Sequence, residues 1–262
     1  MRNFFVPISI AILGVLVTQP STVHGQSAQA KDGARSATPD FTGVYYPYRP
    51  VAGGQTSSPS SAAEVRPVPV TDLRAGRGPN DPQLTPEYMA KWEAIRKSRM
   101  SGSYETDRVY NCLPPGMPVM MSGAYGLEIM QAKDRITIFS EWLDALRRVY
   151  IDGRKPDKKI LNDPTYAGYS TGYWQGDTLV VDTVALHPDS YIDASSPHSE
   201  EMTVKERIRF VAPGILEDRI TVTDPKALVK PWETAHQYKK AQYPDDQLRE
   251  FACTEGLGKQ PK

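Results

Sequence analysis

Thr165–Thr183, TYAGYSTGYWQGDTLVVDT, decides the fold. Two runs rich in β-branched and aromatic residues flank Gln175-Gly176-Asp177, and a glycine beside small polar residues between such runs signals a hairpin. Gln-Gly and Gly-Asp each suit the centre of the turn. In either register side chains alternate, so Tyr169, Thr171, Tyr173, Val180 and Asp182 share one face. Gly168, Gly172, Trp174, Leu179, Val181 and Thr183 share the other. The second face is core. The first mixes phenols, a hydroxyl and a carboxylate, and is either wet surface or the wall of a ligand cavity.

The same texture extends in both directions. Leu127–Gln131 and Arg135–Glu141 flank a Lys133-Asp134 turn, and Leu146–Asp152 follows. Ile136, Ile138, Val149 and Ile151 form an aliphatic face, backed by Thr137, Phe139, Glu141, Arg148 and Tyr150. Thr203–Val211 and Ile215–Thr223 form another hairpin around Pro213-Gly214, and Trp232–Tyr238 and Leu248–Cys253 read as the last strands. Successive strands at short spacing predict a mainly β domain, an antiparallel meander. It closes into a barrel-like, calycin-like form because closure removes exposed edges, with an open sheet or a sandwich as competitors.

One helix is expected, over Leu84–Arg99, flanking the barrel. Thr85 suits its cap and Pro86 its first turn; Tyr88, Trp92 and Ile95 line one face. Before it, residues 26–83 read as a flexible Pro/Gly/Ser-rich arm, in which Phe41–Tyr48 is a short edge strand or docking arm, since Pro47 cannot donate to a ladder. Residues 84–256 form the single β-rich domain and 257–262 a tail.

Residues 1–25 read as a signal peptide. Arg2 precedes an apolar run, Phe4–Val17, that is too short to span a bilayer, and cleavage is expected near Gly25. No later segment is apolar enough to cross a membrane, so the expected location is the periplasm. Cys112 and Cys253 are the only cysteines. In an oxidising compartment they are expected to pair, closing a loop of roughly 140 residues worth about 4 kcal/mol in the chain-entropy picture. Cys112 lies in CLPPGMP, a rigid loop whose Met117, with Met120 and Met121, either plugs the core or contacts a ligand.

Lys+Arg and Asp+Glu number 31 each, so no basic excess points to nucleic acid. No dinucleotide fingerprint, phosphate loop, HExxH or EF-hand loop is present, and no cofactor or metal is expected. The densest chemistry is His187, Asp189, Asp193, His198, Glu200 and Glu201. There His198 is the candidate general acid or base, with Glu200 or Asp182 orienting it; a polar surface loop is the plainer reading. Glu141, Arg148, Glu206 and Arg207 sit within strands. Facing a lumen they must pair, and Arg148 and Arg207 would meet an anionic ligand beside Tyr169 and Tyr173; facing out they are solvated. Ser199 lacks a GxSxG setting.

The blocks CLPPGMP, LEIMQAKDRITIFSE, RRVYIDGR, PTYAGYSTGYWQGDTLVVDT, PHSEEMTVKER and TVTDPKALVKPWE resemble those of a large, mostly uncharacterised family of exported proteins of Gram-negative bacteria. The resemblance runs from about Leu84 to Glu255 and implies an exported β-rich domain. Trp174, Gly176 and Asp177, and His198, Ser199 and Glu200, match positions common in that family. Tyr169 and Tyr173 stand where it commonly has His and Arg.

Together these features lead to an exported barrel that binds a small, partly aromatic molecule. Cofactor-independent hydrolysis or elimination is the chemistry available if the ligand is turned over. The alternative is a non-catalytic structural or interaction module of the envelope. The sequence leaves the oligomeric state open.

Overall fold

The computed structural model describes residues 38–49, 76–103, 110–122, 125–193, 195–242, 246–251 and 253. The signal-peptide reading of residues 1–25, most of the arm and the 257–262 tail lie outside these.

Nine strands close into one barrel in sequence order: β1 (Gly43–Tyr48), β2 (Leu127–Gln131), β3 (Arg135–Ser140), β4 (Ala145–Tyr150), β5 (Tyr169–Gln175), β6 (Thr178–Val184), β7 (Thr203–Ala212), β8 (Ile215–Thr223) and β9 (Trp232–Lys240). The hairpin turns are those the residues demand. Gly176 takes φ 64° between Gln175 and its partner Thr178, so Gly176-Asp177 is the central pair. Gly214 takes φ 70° between Ala212 and Ile215.

Three expectations need correction. β1 is the strand expected within Phe41–Tyr48, but it is not an edge, since it pairs with both β2 and β9 and closes the ring. Ala241 N donates to Val44 O, and alternation from that pair turns Pro47 N away from β9. β2 pairs no further along β1 than Tyr45, so the missing donor costs no ladder bond. Leu248–Phe251, the described part of the expected last strand, is not a strand, because β1 already occupies the free edge of β9. That segment instead crosses the outside, with Arg249 N on Glu141 Oε1 at 3.0 Å and Phe251 N on Asp144 Oδ1 at 3.3 Å. A disulfide from Cys253 to Cys112 fastens it, Cα to Cα 5.8 Å. The meander breaks once: β4 and β5 run parallel, joined by a crossover that carries the short helix α2 (Lys158–Leu161).

Helix α1 (Pro86–Met100) begins where expected and buries Tyr88 and Trp92. Trp92 Nε1 donates to Ser195 Oγ at 2.9 Å. Thr85 does not cap the helix with its side chain; its hydroxyl donates to Lys226 O at 2.8 Å and ties the helix start to the barrel end.

The aliphatic faces turn inward and fill the barrel. Ile136, Ile138, Val149, Leu179, Val181 and Ile220 belong to one buried cluster. Met117, Met120 and Met121 join it as a plug, and Met120 also borders an outer cleft. The Tyr173 and Asp182 positions of the phenol-and-carboxylate face are therefore wet surface, whereas Val180 of the same face is buried and Tyr169 half-buried. Tyr173 is 54% exposed, and Asp182 pairs with Lys205 Nζ at 2.9 Å on the outside. Outward placement spares these charges the desolvation that the interior imposes.

Candidate functional site

Of the two settings open to the strand charges, lumen and solvent, the lumen holds a single polar centre. Arg147, not Arg148, points inward. Its Nε donates to Ser170 Oγ at 3.1 Å, Nη1 to Glu206 Oε1 at 2.8 Å, and Nη2 to Thr183 Oγ1 at 3.0 Å and to Glu206 Oε2. Ser170 and Thr183 hydroxyls meet at 2.8 Å. The bidentate guanidinium–carboxylate fork satisfies what burial would otherwise leave costly. Glu206 is thus held by the protein itself, not offered to a ligand.

Asp218 of β8 completes the centre. It is fully buried, and neither carboxyl oxygen meets a donor. Burial pushes its proton affinity well above the ordinary carboxylate range; the charge of Glu206 adds to this, and Arg147 opposes it. A proton kept on Asp218 and donated to Glu206 gives one of its two oxygens a partner and removes the repulsion between the two carboxyl groups. Opposite Asp218, His236 of β9 is lowered to about 4 by burial first and then by Arg49, and stays neutral.

The space for a ligand lies outside this centre, on the flank of the barrel. β5 pairs β4 only at Val149 with Ser170 and Tyr150 with Thr171. Beside that short seam opens a cleft of about 380 Å³. Leu146, Arg148 and Tyr150 form one wall, Tyr166 and Tyr169 the other, and Gly116 of the CLPPGMP loop with Met120 just after it the floor. Two of the expected ligand residues, Arg148 and Tyr169, meet here, from the outer faces of adjacent strands. Tyr150 and Tyr169 rings lie 5.3 Å apart, and the Arg154 guanidinium sits 4.2 Å over Tyr150. Desolvation raises the Tyr169 phenol pKa, so it is a hydroxyl donor at neutral pH. Arg148 is exposed, and its guanidinium makes no hydrogen bond or ion pair to any described residue. A second cleft of about 300 Å³ shares Thr165, Gly168 and Tyr169 with it and reaches Lys159 and Asp163.

The other expected site residues are elsewhere. Arg207 is exposed and donates to Gln175 Oε1 at 2.9 Å; Tyr173 stands in solvent on the same face. Glu141 accepts from Arg249 N. Glu200 pairs with Lys226 at 2.5 Å and Asp182 with Lys205, so neither orients His198.

His198 is buried. Its Nδ1 faces Ser199 O at 2.7 Å, and its Nε2 faces Ser190 Oγ at 2.7 Å. A carbonyl accepts only, so a neutral ring carries its proton on Nδ1 and takes the Ser190 hydroxyl proton on Nε2. Asp224 locks Ser199 through its N at 2.6 Å and its Oγ at 2.7 Å. The couple has the nucleophile–base–orienter arrangement of acyl transfer. It is sealed, though, because Ser190 has no exposed surface and lies directly behind Gly116. His187 stacks on Tyr166 at 4.6 Å, and Asp193 caps Ser195 and Ser196. Among the described residues no three His, Cys, Asp or Glu groups converge to hold a metal.

Arg147, Ser170, Asp218 and Ser190 are absent from the candidates the sequence offers, and Thr183 is there only as a core-face residue. The signal was nevertheless present for two of them. Arg147 shares its alternation with Val149, and Asp218 shares its own with Leu216 and Ile220.

No family model and no curated protein matches the chain. Among solved structures, a crystal structure of a mutant of the fluorescent protein UnaG is similar at 15% identity and a TM-score of 0.29, covering 52% of this chain and 87% of that one. The fold therefore rests on the barrel's own strand pairing.

Proposed function

We propose that this protein is an exported barrel that binds a small, partly aromatic, negatively charged molecule in the flank cleft beside the β4–β5 seam. One observation carries the reading: Arg148, Tyr150, Tyr166 and Tyr169 converge on a single concavity of about 380 Å³. That volume falls in the range of roughly 300–1,000 Å³ that suits small ligands. Arg148 supplies a cation and the paired tyrosine rings a stacking wall. The test is native mass spectrometry of protein released gently from the envelope. A retained small molecule is expected from the parent chain and not from Arg148→Ala or Tyr169→Ala. Equal retention by all three would overturn the assignment of the cleft.

The reading places the protein in the periplasm, supported by the apolar Phe4–Val17 run and the Cys112–Cys253 bridge. N-terminal sequencing of the periplasmic form should begin near Gln26; retention of Met1 would refute it.

Binding without turnover is the reading that burial favours. The Ser190–His198 couple favours a second one, acyl transfer by Ser190 after the CLPPGMP loop moves aside. A fluorophosphonate probe would label Ser190 in the parent and not in His198→Ala, and absence of label under binding conditions dismisses turnover by this couple.

A further inference from the structure

Strand β4 meets its two neighbours unequally. Ala132 N donates to Arg135 O at 2.8 Å, and Ile151 N to Asp134 O at 2.9 Å. Antiparallel partners alternate between bonded and non-bonded pairs. With the observed register, Ala145, Arg147 and Val149 therefore bond to β3, while Leu146, Arg148 and Tyr150 turn their N–H and C=O toward β5. The parallel ladder to Ser170 and Thr171 uses Tyr150 and the Arg148 carbonyl. By that register the Leu146 N–H, the Leu146 C=O and the Arg148 N–H are directed to the β5 side beyond the end of the ladder, where the cleft lined by both residues lies. An open strand edge in a concave groove is what an extended chain adds itself to.

We infer that the ligand of the cleft is a short extended peptide that joins the open edge of β4 as a strand. Its carboxylate meets Arg148 and an aromatic side chain meets the Tyr150–Tyr169 pair. This rests on the cleft being the binding site and names what it takes. The peptide accepts from the N–H groups of Leu146 and Arg148 and donates one N–H to the Leu146 carbonyl. At about 3.3 Å per residue, two to three ligand residues span that run. Asp144, the other charged group lining the cleft, precedes β4, at the opposite end from Arg148. The peptide accordingly lies with its carboxyl end toward Arg148. An aromatic acid without amides would leave all three main-chain groups to water.

The test offers the full-length chain two equimolar pools. One holds free tetrapeptides with one aromatic and one acidic residue; the other holds aromatic carboxylic acids of similar mass. Retention is read by native mass spectrometry and the Leu146 and Arg148 amide signals by NMR. A peptide should be retained and should shift both amides. The same peptide N-methylated at the amide that meets Leu146 should bind about tenfold more weakly, the scale of one lost hydrogen bond. Leu146→Pro removes an N–H that β3 does not use, and should lose peptide to a similar degree. Retention of an aromatic acid but no peptide overturns the inference and leaves the cleft reading standing. Retention from neither pool overturns both. Unchanged binding of the N-methylated peptide overturns the strand geometry whatever the folding of the proline variant.

Discussion

Replacing Asp218 by Asn should stabilise the barrel more, the higher the pH. Inside the barrel one guanidinium, Arg147, faces two carboxyl groups, Glu206 and Asp218. Ionising both would leave a net buried negative charge that a single cation does not offset. The fold avoids this by keeping a proton on Asp218, held there by burial and by the charge of Glu206 against the pull of Arg147. In the unfolded chain the same group titrates near 3.8. Above that pH the folded state holds one proton more than the unfolded state. Stability then falls with rising pH by about 1.4 kcal/mol per unit until the folded carboxyl ionises. Below it both states are protonated and the group adds no slope. Asn is the permanent isostere of the protonated acid, its N–H replacing the O–H toward Glu206. The gap between Asp218→Asn and the parent should be near zero at pH 3 and widen by about 1.4 kcal/mol per unit from pH 4. For a domain of this size that is roughly 3–6 °C in Tm per unit. His236 acts equally in both proteins and cancels in the difference. Urea unfolding from pH 3 to 8 at constant ionic strength reads the gap directly. Parallel profiles, or a variant less stable than the parent at pH 7, would refute the shared proton.

Arg147→Met should cost about 3–5 kcal/mol in urea unfolding, because Glu206 is left buried and ionised; adding Glu206→Gln should recover most of it, and equal losses in the single and double variants would contradict that cause. His236 has a folded value of about 4 against 6.5 unfolded, so its contribution is complete above pH 6.5 and is lost as pH falls toward 4, by up to about 3 kcal/mol. His236→Gln should remove that acid-side loss, and an unaltered profile would count against a neutral, half-buried ring. Gly116 takes φ 72°, and a Cβ there would sit 2.8 Å from Ser190 Cβ and 3.1 Å from Tyr166 O. Gly116→Ala should therefore cost about 1–3 kcal/mol and deform the cleft floor, and a variant as stable as the parent with unchanged ligand retention would show the wall is not tight.

The hairpins, the ring closure, the disulfide and the outer helix were legible because each is fixed locally or by a scarce residue type. Gly176 and Gly214 mark turns that neighbouring runs enforce, and two cysteines have one pairing. The lumen was not legible for a physical reason. Alternation sorts residues into two sets, but it does not say whether the polar one faces a cavity or solvent. In this barrel the aliphatic set fills the interior, so core face and lumen are the same face. That sends Tyr173, Asp182, Arg148 and Arg207 outside. The cleft was illegible because it arises at the β4–β5 pairing, a two-pair parallel contact across a crossover that no local pattern announces. The polar centre was legible after all. Arg147 lies between Ala145 and Val149, Glu206 between Val204 and Ile208, and Asp218 between Leu216 and Ile220. Three charges, each alone at the aliphatic parity of its strand, have no solvent to face once those strands close. One cation with two acids then requires mutual contact and a retained proton, which is the arrangement the barrel adopts.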